Sequence, residues 1–73
     1  MWFSGKDRLL DTILRDTVLI TMKDGSAFRG IFDGADHNHL RLLNAEALST
    51  KDSTKVDGQL FLPRANIAFV QRP

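Results

Sequence analysis

Residues 17–32 read TVLITMKDGSAFRGIF, and this stretch decides the fold. Val18, Ile20 and Met22 alternate with Leu19, Thr21 and Lys23, which is the two-residue period of a strand with one buried face. Asp24-Gly25 supplies a hairpin turn. The chain then returns as Ser26 to Asp33, with Phe28, Gly30 and Phe32 on a common face. A glycine inside a strand is tolerated where the strand bends sharply or where another backbone comes close. The pair therefore reads as an antiparallel hairpin whose second strand bends as barrel strands do.

Upstream, residues 4–16 read SGKDRLLDTILRD. Ser4 and Asp7 have the spacing of a capping box. Leu9, Leu10, Ile13 and Leu14 make one apolar stripe, with Lys6, Arg8, Asp11, Arg15 and Asp16 toward water. The spacing predicts a helix over about residues 4–16. So short a helix is marginal alone, so its stripe must lie on the barrel. Trp2 and Phe3 read as packing at the barrel end or as marking a contact surface, the first being the expectation. Downstream, residues 34–39 (GADHNH) read as a polar loop. Leu40 to about Leu48 reads as strand three, with Leu40 and Leu42 inward. Residues 49–58 carry no apolar pattern and read as a solvated tip, Lys51, Asp52, Lys55 and Asp57 included. Gln59 to Leu62 is a fourth strand. Pro63-Arg64-Ala65 interrupts it, because proline cannot donate to a ladder. Asn66 to Gln71 is a fifth.

The chain of 73 residues is thus one mainly β domain over 1–73, a helix followed by five short strands over about 17–71. A domain this small buries only about 60 % of its unfolded surface, which favours self-association. It has no cysteine, so neither a disulfide nor a thiolate metal site is available. Ten Lys and Arg against nine Asp and Glu leave a net charge of +1, which excludes a strongly basic nucleic-acid coat but not a local basic patch. Eight of the nine acids are aspartate, which favours turns and caps over long helices. No apolar run approaches the ~20 residues of a membrane span, and the N-terminus lacks a signal-peptide core. The expectation is a soluble, cytoplasmic protein with no membrane partner. No nucleophile, phosphate loop or carboxylate pair has a catalytic arrangement, so an enzyme, a cofactor and a small-molecule substrate are not expected.

The order of these pieces resembles the Sm and Sm-like (LSm, Hfq-related) family. The first family motif is matched by Val18, Ile20, Met22, Lys23-Asp24-Gly25, Phe28, Gly30, Phe32, Asp36-His37-Asn38-His39-Leu40, Leu42 and Asn44-Ala45-Glu46. The second is matched by Leu60-Phe61-Leu62-Pro63-Arg64-Ala65-Asn66-Ile67-Ala68-Phe69-Val70. Together they span about residues 8 to 71. The resemblance implies a strongly bent five-stranded antiparallel SH3-like barrel (the Sm fold). It also implies a homo-hexameric or homo-heptameric ring, closed by pairing of the fourth strand of one copy with the fifth of the next. An open barrel with two free edge strands invites such addition.

The resemblance further implies binding of single-stranded RNA, often uridine-rich, in a ribonucleoprotein role in RNA processing. Carried over position by position, it assigns RNA contacts to His37, Asn38, His39 and Arg64, with Asp36 and Asn66 supporting the loops. The pattern differs at two places. The family's His-Met-Asn-Leu reads His37-Asn38-His39-Leu40 here, so a histidine stands where the family has its base-reading asparagine. The Arg-Gly pair has become Pro63-Arg64. Two imidazoles at i and i+2 read as solvated loop residues as readily as ligand contacts, and a metal site would need further ligands. Arg64 reads as an aspartate partner or as a ligand contact. The same sequence therefore also fits an Sm-fold ring that is a structural or protein-interaction assembly without RNA binding.

Overall fold

In the computed structural model, residues 8–49 and 53–73 are described, and six strands form one bent antiparallel sheet. Its elements are α1 (Arg8–Asp11), β1 (Thr17–Met22), β2 (Ala27–Ala35), β3 (His39–Leu48), β4 (Ser53–Lys55), β5 (Gln59–Pro63), a 3₁₀ turn (Arg64–Asn66) and β6 (Ile67–Gln71). The strand order is β4-β3-β2-β1-β6, and β5 also pairs with β3.

The helix is shorter than its apolar stripe predicts. After Asp11 the amides of Thr12, Ile13 and Leu14 donate three residues back, to Leu9, Leu10 and Asp11. The Thr12 hydroxyl donates to the same Leu9 carbonyl at 2.6 Å, a local bond that competes with helix continuation. Arg15 then takes the left-handed conformation at φ 69°. Its amide donates to the Phe32 carbonyl, and the Phe32 amide donates to Asp16, so β2 captures the chain here. Leu10, Ile13 and Leu14 pack against the core as expected. Leu9 does not: it is 81 % exposed. The Ser4 and Asp7 capping box, Trp2, Phe3, Lys51 and Asp52 lie outside the described residues.

Two loop assignments change. β2 runs on to Ala35 and β3 starts at His39, so only residues 36–38 remain of the expected 34–39 loop. Gly34 and Ala35 are buried, and side chains that small leave no strand pattern in a sequence. The 49–58 tip is not wholly loop either. Ser53–Lys55 pairs with Glu46–Leu48 through backbone bonds, which need no apolar alternation. β4 and β5 follow one another along β3 and form two halves of one course, with the Val56 amide bonded to the Ala45 carbonyl at 2.8 Å between them. The five-strand plan holds with its fourth strand broken at residues 56–58.

The core is Val18, Ile20, Met22, Phe32, Ala35, Leu40, Leu42, Ala45 and Leu62. Between the Arg29–Glu46 and Ile31–Leu43 pairs, β3 carries two residues opposite Gly30 alone. That is a bulge, and Asn44 adopts φ 51° within it, a conformation asparagine tolerates better than most residues. A Cβ on Gly30 would lie 3.0 Å from the Ala45 Cα and 3.1 Å from the Leu43 carbonyl oxygen. The close approach of a second backbone is therefore what the glycine provides. Along the other arm, Asp33 is the extra residue, on β2. These two irregularities bend β2 and β3 around the core.

The sheet does not close on itself. Among the described strands β5 pairs only with β3 and β6 only with β1, which leaves one edge of each without a partner strand. Phe61 on β5 and Phe69 on β6 are 54 % and 53 % exposed.

Candidate nucleic-acid interface

The loop between β2 and β3 is built on Asp36. Its Oδ1 accepts the amides of Asn38 at 2.8 Å and His39 at 2.7 Å, and its own amide donates to the His39 carbonyl. This is an aspartate turn of the kind that short polar side chains make with the backbone two residues on. These two amide bonds hold the Asp36 carboxyl below the usual carboxylate range, with a lesser contribution from the charges of His39 and His37. His39 Nδ1 stands 3.9 Å from Asp36 Oδ1. His37, Asn38 and His39 are all exposed.

The second turn is brought onto the first. The Arg64 amide donates to the Asn38 carbonyl at 2.8 Å, and Arg64 Nη1 donates to the Asp36 carbonyl at 2.9 Å. Pro63 ends β5 opposite His39, where the ladder asks for no further donor. Five of the six residues singled out in the sequence (Asp36, His37, Asn38, His39 and Arg64) therefore meet at one end of the sheet. Asn66 is held elsewhere: its carbonyl accepts the Lys23 amide at 2.7 Å, beside the β1–β2 turn. It lines a separate pocket with Met22, Lys23, Asp24, Ser26, Phe28 and Leu62.

Two further residues belong to this end. A cleft of about 270 Å³ is lined by Gly34, Ala35, Asp36, His39, Arg41 and Phe61. Arg41 and Phe61 stand directly opposite each other across β3 and β5. Arg41 Nη2 lies 2.7 Å from Asp33 Oδ2, while Arg41 Nε is buried and has no hydrogen-bond partner among the described residues. Alternation could have found both residues. Leu40 and Leu42 point inward, so Arg41 points out; Leu60 and Leu62 flank Phe61 in the same way, and an outward phenylalanine is the anomaly.

Among the described residues no three His, Cys, Asp or Glu side chains gather as a metal site, and no helix is long and apolar enough to cross a membrane. No known family model matches the sequence, and no curated protein matches it. The fold has many solved likenesses. The SmAP1 heptamer of P. aerophilum superposes with TM-score 0.84 at 24 % identity, over 97 % of this chain and 96 % of that one. The Sm protein of Pyrococcus abyssii, solved in complex with a uridine heptamer, gives 0.81 at 24 % identity, over 97 % of this chain and all of that one (100 %). A chain of the NatC complex bound to CoA gives 0.77 at 17 % identity, over 88 % of this chain and 83 % of that one. The fold of this chain is thus the Sm fold.

Proposed function

We propose that this chain assembles into a closed ring of six or seven identical copies that binds single-stranded RNA, uridine-rich stretches included. It is a binding assembly of RNA metabolism rather than an enzyme. The observation that carries this reading is the joining of two turns: the Arg64 amide and guanidinium bond to the Asn38 and Asp36 carbonyls. Exposed imidazoles and a fixed arginine are thereby displayed together, as recognition of unstacked bases and phosphates requires. The two unpartnered edges support the ring. One rotation that adds β6 of one copy to β5 of the next leaves no edge open once it closes. The heptameric Sm-fold neighbour and the uridine-bound one support each half of the reading.

A second reading keeps the ring or a mixed assembly and drops the RNA. The Pro63-Arg64 pair and His39 favour it, as does the likeness to a chain of the NatC complex. Native mass spectrometry with and without a short oligo-U tests both. A ring of six or seven copies that gains the mass of one RNA is the expected result. A ring that ignores the RNA moves the assignment to the protein assembly. A monomer at every concentration overturns both.

A further inference from the structure

The cleft of Arg41 and Phe61 has chemistry that the two joined turns do not use. Its Phe61 ring is half exposed, on a strand whose neighbouring residues Leu60 and Leu62 pack inward. Its wall is the Arg41 guanidinium, tied at one end to Asp33. Its mouth is shared with the loop, because Asp36 and His39 line both. At about 270 Å³ it lies below the roughly 300–1,000 Å³ of sites that enclose a whole drug-sized molecule. It suits a single planar ring. A nucleobase offers two flat π-faces and a polar edge. The face matches Phe61, and the edge matches the donors of Arg41 and His39.

We propose that this cleft is a base-stacking subsite of the same interface, with Phe61 as the platform and Arg41 and His39 at its rim. The proposal rests on the RNA-binding reading above. Because Arg41 is already paired with Asp33, it acts as a held planar donor rather than as a net charge. Stacking uses the π-face, which every base has, so this subsite is indifferent to sequence. It takes a base next to whichever one the loop reads.

The test measures the affinity of the full-length protein for oligo-U and oligo-A heptamers, together with its assembled mass, for wild type, Phe61→Leu and Phe61→Trp. Leucine keeps an apolar side chain and removes the π-face. Phe61→Leu is expected to weaken both oligomers about tenfold at unchanged mass; tenfold corresponds to about 1.4 kcal/mol, within the usual range per stacked base. Phe61→Trp is expected to bind at least as tightly as wild type. In a Trp2→Phe background its indole emission should be quenched on adding either oligomer. Unchanged affinity in Phe61→Leu, loss toward one oligomer alone, or no quenching overturns the subsite. A fall in assembled mass also overturns it, because Phe61 would then belong to the contact between copies. Wild-type protein that binds neither oligomer overturns the RNA reading and the subsite together. Wild-type binding that survives Phe61→Leu overturns the subsite alone.

Discussion

Gly30→Ala isolates the device that bends this sheet. The new Cβ would sit 3.0 Å from the Ala45 Cα, 3.1 Å from the Leu43 carbonyl oxygen and 3.2 Å from the Ala45 Cβ. The two closest are backbone atoms of β3, which no rotamer change can move aside. β3 must shift by a few tenths of an ångström at its bulge, where Asn44 is already left-handed and Ala45 is 1 % exposed. Overpacking of this kind costs about 1–3 kcal/mol. The loss of glycine entropy from the unfolded chain returns about 0.4–1 kcal/mol; with contacts this close to backbone atoms the clash falls in the middle of its range or above, which leaves a net destabilisation of about 1–2 kcal/mol. In a domain of this size each kcal/mol moves Tm by about 4–8 °C, so Tm should fall by about 4–16 °C. The assay is thermal unfolding by far-ultraviolet circular dichroism at fixed protomer concentration, because assembly makes Tm depend on concentration. A Tm equal to or above that of wild type refutes the account of Gly30 as room for the β3 backbone.

Three further outcomes follow from particular residues. Arg15→Gly should stabilise the fold by about 0.5–1 kcal/mol, since it removes a left-handed non-glycine residue at a known entropic cost; Arg15→Ala, which keeps the strain, should not, and urea midpoints separate the two. The carboxyls of Asp36 and Asp24 are held low, the first by the amides of Asn38 and His39 and the second by the Ser26 hydroxyl and amide. A depressed folded pKa gives stability that is present above the usual carboxylate range and is lost as pH falls through the folded value. Amide exchange at Asn38, His39 and Ser26 should therefore stay steady, after correction for intrinsic rates, as pH falls from neutrality through the usual carboxylate range, and should lose protection only below that range; loss within the range refutes the assignment. Arg64→Ala should weaken oligo-U binding and make log K against log salt shallower by about 0.7 for each phosphate no longer neutralised; an unchanged slope would leave Arg64 as a clamp between turns only.

How far the sequence carries can be judged residue by residue. Val18, Ile20, Met22, Phe32, Leu40, Leu42 and Leu62 are buried where alternation puts them, and Gly30 meets the close backbone its strand position demands. Those features are local, and period two records them. Ser53–Lys55 leaves no trace, because it pairs by backbone bonds at the far end of β3. The apolar stripe overstates the helix at its C-terminal end. Leu9 to Leu14 fit a stripe, while the competing bonds of Arg15 and Asp16 to β2 come from a residue 16 or more positions away. At the site, the loop and Arg64 are legible from motif order. Asn66 falls elsewhere because a single 3₁₀ turn separates its direction from that of Arg64. Alternation puts Arg41 and Phe61 on the outward face, while their placement side by side depends on β5 lying beside β3, which is long-range information.

Pro63-Arg64, which stands where the motif it resembles has Arg-Gly, matters because of the same register. Leu62 is 4 % exposed, so Pro63 takes the next outward position at the end of β5, opposite His39. The arginine moves one residue onward and enters the 3₁₀ turn, and a one-residue step changes the face a side chain serves. There its guanidinium bonds to the Asp36 carbonyl while Asp36 Oδ1 gathers the amides of Asn38 and His39. Arg64 thus joins a bonded frame and stops being a long side chain that must be immobilised on binding. The ordering cost of a rotamer-rich contact, about 0.5–1.5 kcal/mol per side chain, is met during folding. What such a frame presents outward is His37, His39 and the rim of the Phe61 cleft. Under the proposed RNA-binding function, recognition would rest on imidazole donors and stacking rather than on an asparagine edge, which favours broad acceptance of single strands over strict choice among bases.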